Sequence, residues 1–345
     1  MRDIQIINPT NYQEWNKLVL ANEDCSFFHT SHWARVLQES YHYKPLYFSI
    51  LNNDRLLALI PVMEIRSCFT GRRGVSLPFS DYCEPITADE GHFQGLLNQI
   101  LRYGQTSGWK YLELRDGKRF LPVAASSSYY YSHSLNLSQN PGEIFSRFRN
   151  STKRNIRKAV KEGVEVKICH SLEALKEFYR LHSLTRKHHG IPPQPFYFFE
   201  NIHDYVISQN QGIVVVASFN QRVVAAAVFF HFGHKAIYKY GASDRDCQHL
   251  RANNLVMWEA IKWYCQKSYR SFCFGRTETE NKGLMQFKAG WGTKQETLRY
   301  SKHHLKKQSF VPALVKISGV HNKIFTRMPV PLLRLAGTLL YPHMG

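Results

Sequence analysis

Apolar positions along the chain fall into two runs of elements with the same order. In the first run, residues 4–7 alternate as a strand. Helices are predicted over 11–21 and 29–41, the latter with Trp33, Val36, Leu37 and Tyr41 at helical spacing. Strands over 45–51 and 55–64 meet at Asn52-Asn53-Asp54, a hairpin turn by composition. A short strand over 75–79, a helix over 93–104 and a strand over 111–115 follow, the last closed by Asp116-Gly117. The Ser- and Tyr-rich stretch 116–133 reads as a linker. The second run predicts a helix over 142–162, a strand over 164–168 and helices over 172–187 and 196–208. A hairpin pairs 213–219 with 222–231 about Asn220-Gln221; a strand over 236–242, a helix over 253–266 and a strand over 270–274 complete it.

The runs superpose as sequence. NNDRLLALIPV (52–62) lies on FNQRVVAAAVF (219–229), and the helix–strand segment 93–116 on 255–276. A hairpin, strand, helix and strand recurring in order indicate an internal duplication. The expected fold class is α/β with mixed sheets, as two copies of one unit, with boundaries at 1–125, 126–302 and a basic, apolar tail over 303–345.

Composition narrows the classes. With 43% hydrophobic and 14% aromatic residues, both copies have material for a core. No apolar run approaches the roughly 20 residues that span a bilayer, and the N-terminus lacks a signal-peptide pattern. Seven cysteines without metal-like spacing suit reduced thiols and a cytoplasmic setting. The pairs His29/His32, His188/His189 and His303/His304 lack carboxylate or cysteine partners at ligand spacing, so no metal site is expected. A formal charge of +19 draws polyanions: RNA, pyrophosphates or anionic lipid.

Candidate chemistry gathers near 271–292, SFCFGRTETENKGLMQFKAGWG. A strand running into Gly275-Arg276, then Phe287-Lys288 on a short helical turn, places a fixed cation where strand ends form ligand sites. Arg276 can clamp a phosphate or carboxylate in bidentate fashion, or pair with Glu278 or Glu280. From Arg147 to Lys161 there are seven Lys/Arg and no acid, with Phe145, Phe148, Thr152, Ile156 and Ala159 as the buried stripe. Arg154, Arg157 and Lys158 therefore face outward. Asp81 and Tyr82 form a second candidate pair; Tyr238 and Tyr240, on the strand before Gly241, are candidates to line the same channel, with one of the two expected to pack in the core instead.

Strand, helices, antiparallel hairpin, strand, helix and strand is the order of GNAT-like N-acyltransferases. The doubled chain resembles the FemAB family, which attaches amino acids to peptidoglycan precursors. The resemblance covers most of the chain and is carried by FFHTSHWARVL (27–37), SLPFSDYCEP (76–85), STKRNIRKAVKEGV (151–164) and FGRTETENKGLMQFKAGWG (274–292). The ending 323–340 is similar to a FemAB-related branch linked to exopolysaccharide and protein sorting. The resemblance implies that Lys288, with Phe287, stabilises the oxyanion of acyl transfer to an amine. It further implies that Asp116 accepts a proton or positions the amine, although Asp116-Gly117 also reads as an ordinary turn. The basic helix would meet tRNA backbone or precursor pyrophosphate.

Coenzyme A enzymes of this fold hold pyrophosphate on a Gly-containing loop. The corresponding stretch, 247–254, has no glycine but offers Arg251. The expected donor is thus aminoacyl-tRNA, with acyl-CoA as the alternative and no tightly bound cofactor. The expected partners are an envelope precursor, charged tRNA and, through the tail, the inner face of the cytoplasmic membrane. A non-catalytic protein that binds RNA or membrane through charge alone is the reading from another class.

Overall fold

The computed structural model describes residues 3–53, 55–312 and 321–345, with the side chains of 321–323 excepted. Two compact units share them. Residues 3–131, 297–312 and 340–345 form the first, and 132–296 with 321–339 the second. Asp54 of the predicted hairpin turn and Leu314, Val315 and Ile317 of the predicted tail lie outside the described residues.

The first unit begins with β1 (Ile4–Ile7), α1 (Trp15–Leu20) and α2 (Ser31–Tyr41), and continues with β2 (Lys44–Asn52), β3 (Arg55–Ser67) and β4 (Gly71–Val75). The helix predicted over 11–21 is confined to α1, because a 3-10 turn over Pro9–Asn11 takes up its start. α3 (Glu90–Thr106) and β5 (Tyr111–Arg115) follow. β1, β2, β3 and β4 pair antiparallel in sequence order, and β4 then pairs β5 in parallel. The stripe of Phe93, Leu96, Leu97 and Ile100 on α3 packs on Leu46, Phe48, Ala58 and Ile60 of the hairpin.

The presumed linker is instead a strand, β6 (Ser126–Asn136), which from Ser132 onward belongs to the second unit. The single helix predicted over 142–162 is two: α4 (Pro141–Ser146) and α5 (Asn150–Lys161). The break has a packing cause. Phe148 is buried edge-on against Trp258 and Trp291, Arg149 is extended, and its N–H donates to Gly290 O at 2.9 Å. β7 (Glu165–Cys169), α6 (Leu172–His188) and α7 (Phe196–Ile202) lead to β8 (Gly212–Phe219), β9 (Arg222–Phe232) and β10 (Lys235–Ser243). α8 (Ala252–Gln266), β11 (Ser271–Glu278) and α9 (Lys282–Ala289) come next. β7, β8, β9 and β10 pair antiparallel in order, then β10 pairs β11 in parallel. Strand by strand this repeats the first unit, so the duplication read from sequence is present in the pairing.

β12 (Lys294–His304) runs into the first unit, where it pairs antiparallel with β5, Tyr300 opposite Arg115, and carries the short β13 (Ser309–Phe310). α10 (His321–Arg327) and α11 (Val330–Leu340) follow. No helix among the described residues is long and apolar enough to cross a membrane.

Candidate active site

The two units differ where β4 and β10 end. β10 and β11 pair in parallel only over Lys235–Ile237 and Ser271–Cys273. β10 then follows β9 as far as Ser243, while β11, predicted to stop at Arg276, runs on to Glu278. The two strands therefore part beyond Ile237 and Cys273. In the first unit the same gap is filled. The segment predicted as a strand over 75–79 leaves the pleat, because Leu77 and Phe79 are left-handed (φ 56° and 58°), and it wedges beside β5. Ser76 N–H donates to Glu113 O (2.7 Å), Cys83 N–H to Arg115 O (2.6 Å), and Ile86 exchanges hydrogen bonds with Leu59 of β3.

Lys288 sits where β10 and β11 part. It is 2% exposed, and its ammonium donates to Gly275 O at 2.8 Å and Arg276 O at 3.1 Å on β11. α9 is short, so its position depends on its ends. Asn281 caps it by accepting from Leu284 N–H, and the exit Gly290-Trp291-Gly292 is clamped to the start of the basic helix. A Cβ on Gly290 would crowd Thr152 Oγ1 at 2.6 Å, and Gly292, at φ 68°, passes within 3.0 Å of Arg147 O when given one. Trp291, wholly buried, packs against Phe148 at 5.0 Å and Phe287 at 5.9 Å. The Phe-Lys turn and the basic helix, separate in sequence, are thus one packed assembly.

Phe287, rather than Lys288, faces the open space. It lines two cavities of about 200 and 160 Å³. The larger holds Tyr238, Leu284 and Asn253, and the smaller holds Ser243, Asp244, Cys247, Arg251 and Asn253. Tyr238 and Tyr240 do not share the channel. The register of β10 against β9 slips between them, and the extra residue, Lys239, turns them to opposite faces. Tyr238 packs on Phe229 on the α8 side, with its hydroxyl pKa pushed up to about 12 by burial. Its ring occupies the space that a Cβ on Gly241 would need. Tyr240 instead joins Phe178, His182 and Phe199.

Arg251 is the left-handed residue (φ 59°) that starts α8, a post where glycine is usual. Its cavity neighbour Asp244, nearly buried, is ion-paired to Arg222. Arg276 lies within β11 rather than at its end, 4.0 Å from Glu278. Arg154, Arg157 and Lys158 are exposed on α5, as the stripe of Thr152, Ile156 and Ala159 dictates, and Arg157 covers Phe145 at 5.8 Å.

Asp116, Asp81 and Tyr82 belong to the first unit. Asp116 is buried at a left-handed turn (φ 70°), where its carboxylate accepts from Lys118 N–H at 3.4 Å and lies 3.8 Å from that residue's ammonium. Burial raises its pKa and Lys118 opposes the rise. Glu84, beside it, is raised by burial and by the charge of Asp116. Tyr300 Oη donates to Asp81 O at 2.6 Å, and Tyr82 stands edge-on to Phe28. Among the described residues no cluster of His, Cys, Asp or Glu could hold a metal ion.

His133 lies in the stretch that reads as a linker, although the alternation of Ser132, His133, Ser134 and Leu135 is a strand signal. β6 neighbours β11, with Ser132 Oγ 3.5 Å from Cys273 Sγ and Leu137 N–H donating to Arg270 O. The His133 ring is fully buried and neither nitrogen has a hydrogen-bond partner of good geometry. Burial first, then the Lys288 cation, lower its pKa, against an opposing pull from Gln295. His231 shifts the same way, down to about 4, through burial. An imidazole whose pKa is lower folded than unfolded leaves stability untouched above about pH 6.5, and stability falls as pH drops from there toward the folded value. The stability advantage of the native chain over His231→Gln should therefore shrink from pH 6.5 to 4 in urea unfolding. A constant difference, or an NMR titration of His231 near 6.5, would contradict this.

Comparison with known proteins agrees with this architecture. Residues 146–289 match the acetyltransferase (GNAT) domain family, a span that closes on Phe287, Lys288 and Ala289. A UDP-N-acetylmuramoylpentapeptide-lysine N(6)-alanyltransferase of Weissella viridescens is 25% identical over 134 residues, which is 39% of this chain and 39% of that protein. The structure of FemX superposes with a TM-score of 0.69 at 14% identity, covering 86% of this chain and 96% of FemX. A tandem GNAT protein from the clavulanic acid biosynthesis pathway gives 0.53 at 8% identity, covering 88% and 99%. With the same strand order in both units, a GNAT match inside the second and FemX as a structural neighbour, the chain has the fold of two GNAT-type units in tandem.

Proposed function

We propose that this protein is an aminoacyl- or acyltransferase that forms an amide on an amine of a cell-envelope precursor. The observation that carries the reading is the Lys288 ammonium, buried where β10 and β11 diverge and next in sequence to the Phe287 that lines both cavities. The amine attacks the donor carbonyl, and negative charge collects on its oxygen, where a fixed cation in a water-poor site stabilises it. Collapse of the adduct breaks the ester or thioester bond, releasing the tRNA hydroxyl or the CoA thiol with the proton that the amine gives up. Asp116 and Arg276 are proposed to serve substrate amine and phosphate or carboxylate groups.

Aminoacyl-tRNA is the donor we favour. A pyrophosphate at the start of α8 would meet the Asp244 carboxylate, and the loop has Arg251 in place of the glycine that permits close approach. A carboxylate there suits the α-ammonium of an aminoacyl ester. The GNAT family match favours acyl-CoA as the second reading. The seven scattered cysteines support a cytoplasmic setting, and a peripheral position at the membrane completes the proposal.

Transfer assays with charged tRNA and with acyl-CoA, each with an amine acceptor, separate the donors. Mass spectrometry of envelope precursors from cells with and without the protein identifies the product. The triple charge reversal Arg154→Glu, Arg157→Glu and Lys158→Glu should weaken tRNA binding more than tenfold and flatten its salt dependence by about 3 in log–log slope. Unchanged tRNA affinity in that variant would remove the basic helix from the donor site.

A further inference from the structure

α11 is apolar on two sides. On one, Leu333 is fully buried and Gly337 lies so close to Pro193 O that a Cβ would overlap it. Arg334 secures the same side, donating from Nε to Ser183 Oγ at 3.1 Å and covering the Tyr179 ring at 4.8 Å. On the other side, Leu332, Leu335 and Leu339 are 54%, 55% and 63% exposed at helical spacing, and Ile324 of α10 is 59% exposed. Single exposed leucines are ordinary on a protein surface. A leucine stripe on a helix already seated by its opposite side is not accounted for by the fold.

The sequence around the stripe is cationic. Residues 321–345 hold three Lys/Arg and no Asp or Glu. Arg327 is exposed at the end of α10, and α6, on which α10 and Arg334 rest, ends in Arg186, Lys187 and His188.

We propose that the outward stripe of α11 docks the protein on an anionic phospholipid bilayer. At 11 residues the helix is about 16 Å long, half the thickness of a hydrocarbon core, so it lies along the interface rather than through it. Leucines enter the acyl boundary while the flanking cations meet lipid phosphates. A second copy of the chain would set these cations against themselves. A dissolved polyanion would engage the cations and leave the leucines in water. The inference gives the peripheral position proposed above its physical element, and it does not depend on transferase activity.

The test is co-sedimentation of the full chain with vesicles of phosphatidylglycerol and phosphatidylcholine, against pure phosphatidylcholine. Wild-type protein should bind the anionic vesicles. The variant Leu332→Gln/Leu335→Gln/Leu339→Gln should bind them at least tenfold more weakly with an unchanged unfolding temperature, since all three side chains are exposed. Equal binding by the variant, or no binding by the wild type, overturns the proposal. So does a wild-type dimer in light scattering that the variant converts to monomer. Transfer to a water-soluble acceptor, measured in parallel, should be the same in both proteins; its absence from both would sink the transferase reading and leave the docking result standing.

Discussion

Lys288→Met is expected to lower kcat by about 10² to 10³, the usual cost of losing one oxyanion donor, with little change in KM for the donor. Methionine keeps the length and burial of the stem and removes the charge. The variant also leaves Gly275 O and Arg276 O without their present donor, for which a loss of about 1–3 kcal/mol in stability is expected. The two effects are separable, because folding is measured by urea unfolding and turnover in a single-turnover assay on folded protein. Lys288→Arg should rescue little, since a planar guanidinium does not fit a post shaped for a point charge between two carbonyls. If Lys288→Met turns over within threefold of wild type, the ammonium is a structural clamp on β11 and the chemistry lies elsewhere.

Trp291→Ala should cost about 3–5 kcal/mol, the range for deleting a wholly buried large aromatic. The indole sits among Phe148, Phe274 and Phe287, so the loss is felt where α9 meets the start of α5. Trp291→Phe should cost much less, because the indole N–H has no hydrogen-bond partner that phenylalanine would forfeit. Activity in Trp291→Ala should fall along with stability, as Phe287 and Lys288 lose the packing that fixes their short helix. Comparable stability of the Ala and wild-type proteins would mean that this joint is far looser than its packing implies.

Elements defined by local period were legible. The hairpins β2–β3 and β8–β9 and the helices α3, α6 and α8 lie within a few residues of their expected bounds, because each has an alternating or helical apolar stripe of its own. The duplication was legible for the same reason. Features decided by distant partners were not. β6 reads as a linker from sequence, because serine and tyrosine say little until β11 supplies the other half of the ladder. Residues 75–79 read as a strand, since VSLPF is apolar, and the left-handed Leu77 and Phe79 divert the chain into the wedge. Lys288 was found through its motif, whereas His133 beside it carried no motif. The slip at Lys239, which sends Tyr238 and Tyr240 apart, is a one-residue change of register that composition cannot encode.

The wedge in the first unit sets two copies of one fold apart. By stitching residues 76–86 into its own sheet, that copy retains the rigidity of the scaffold while surrendering the crevice.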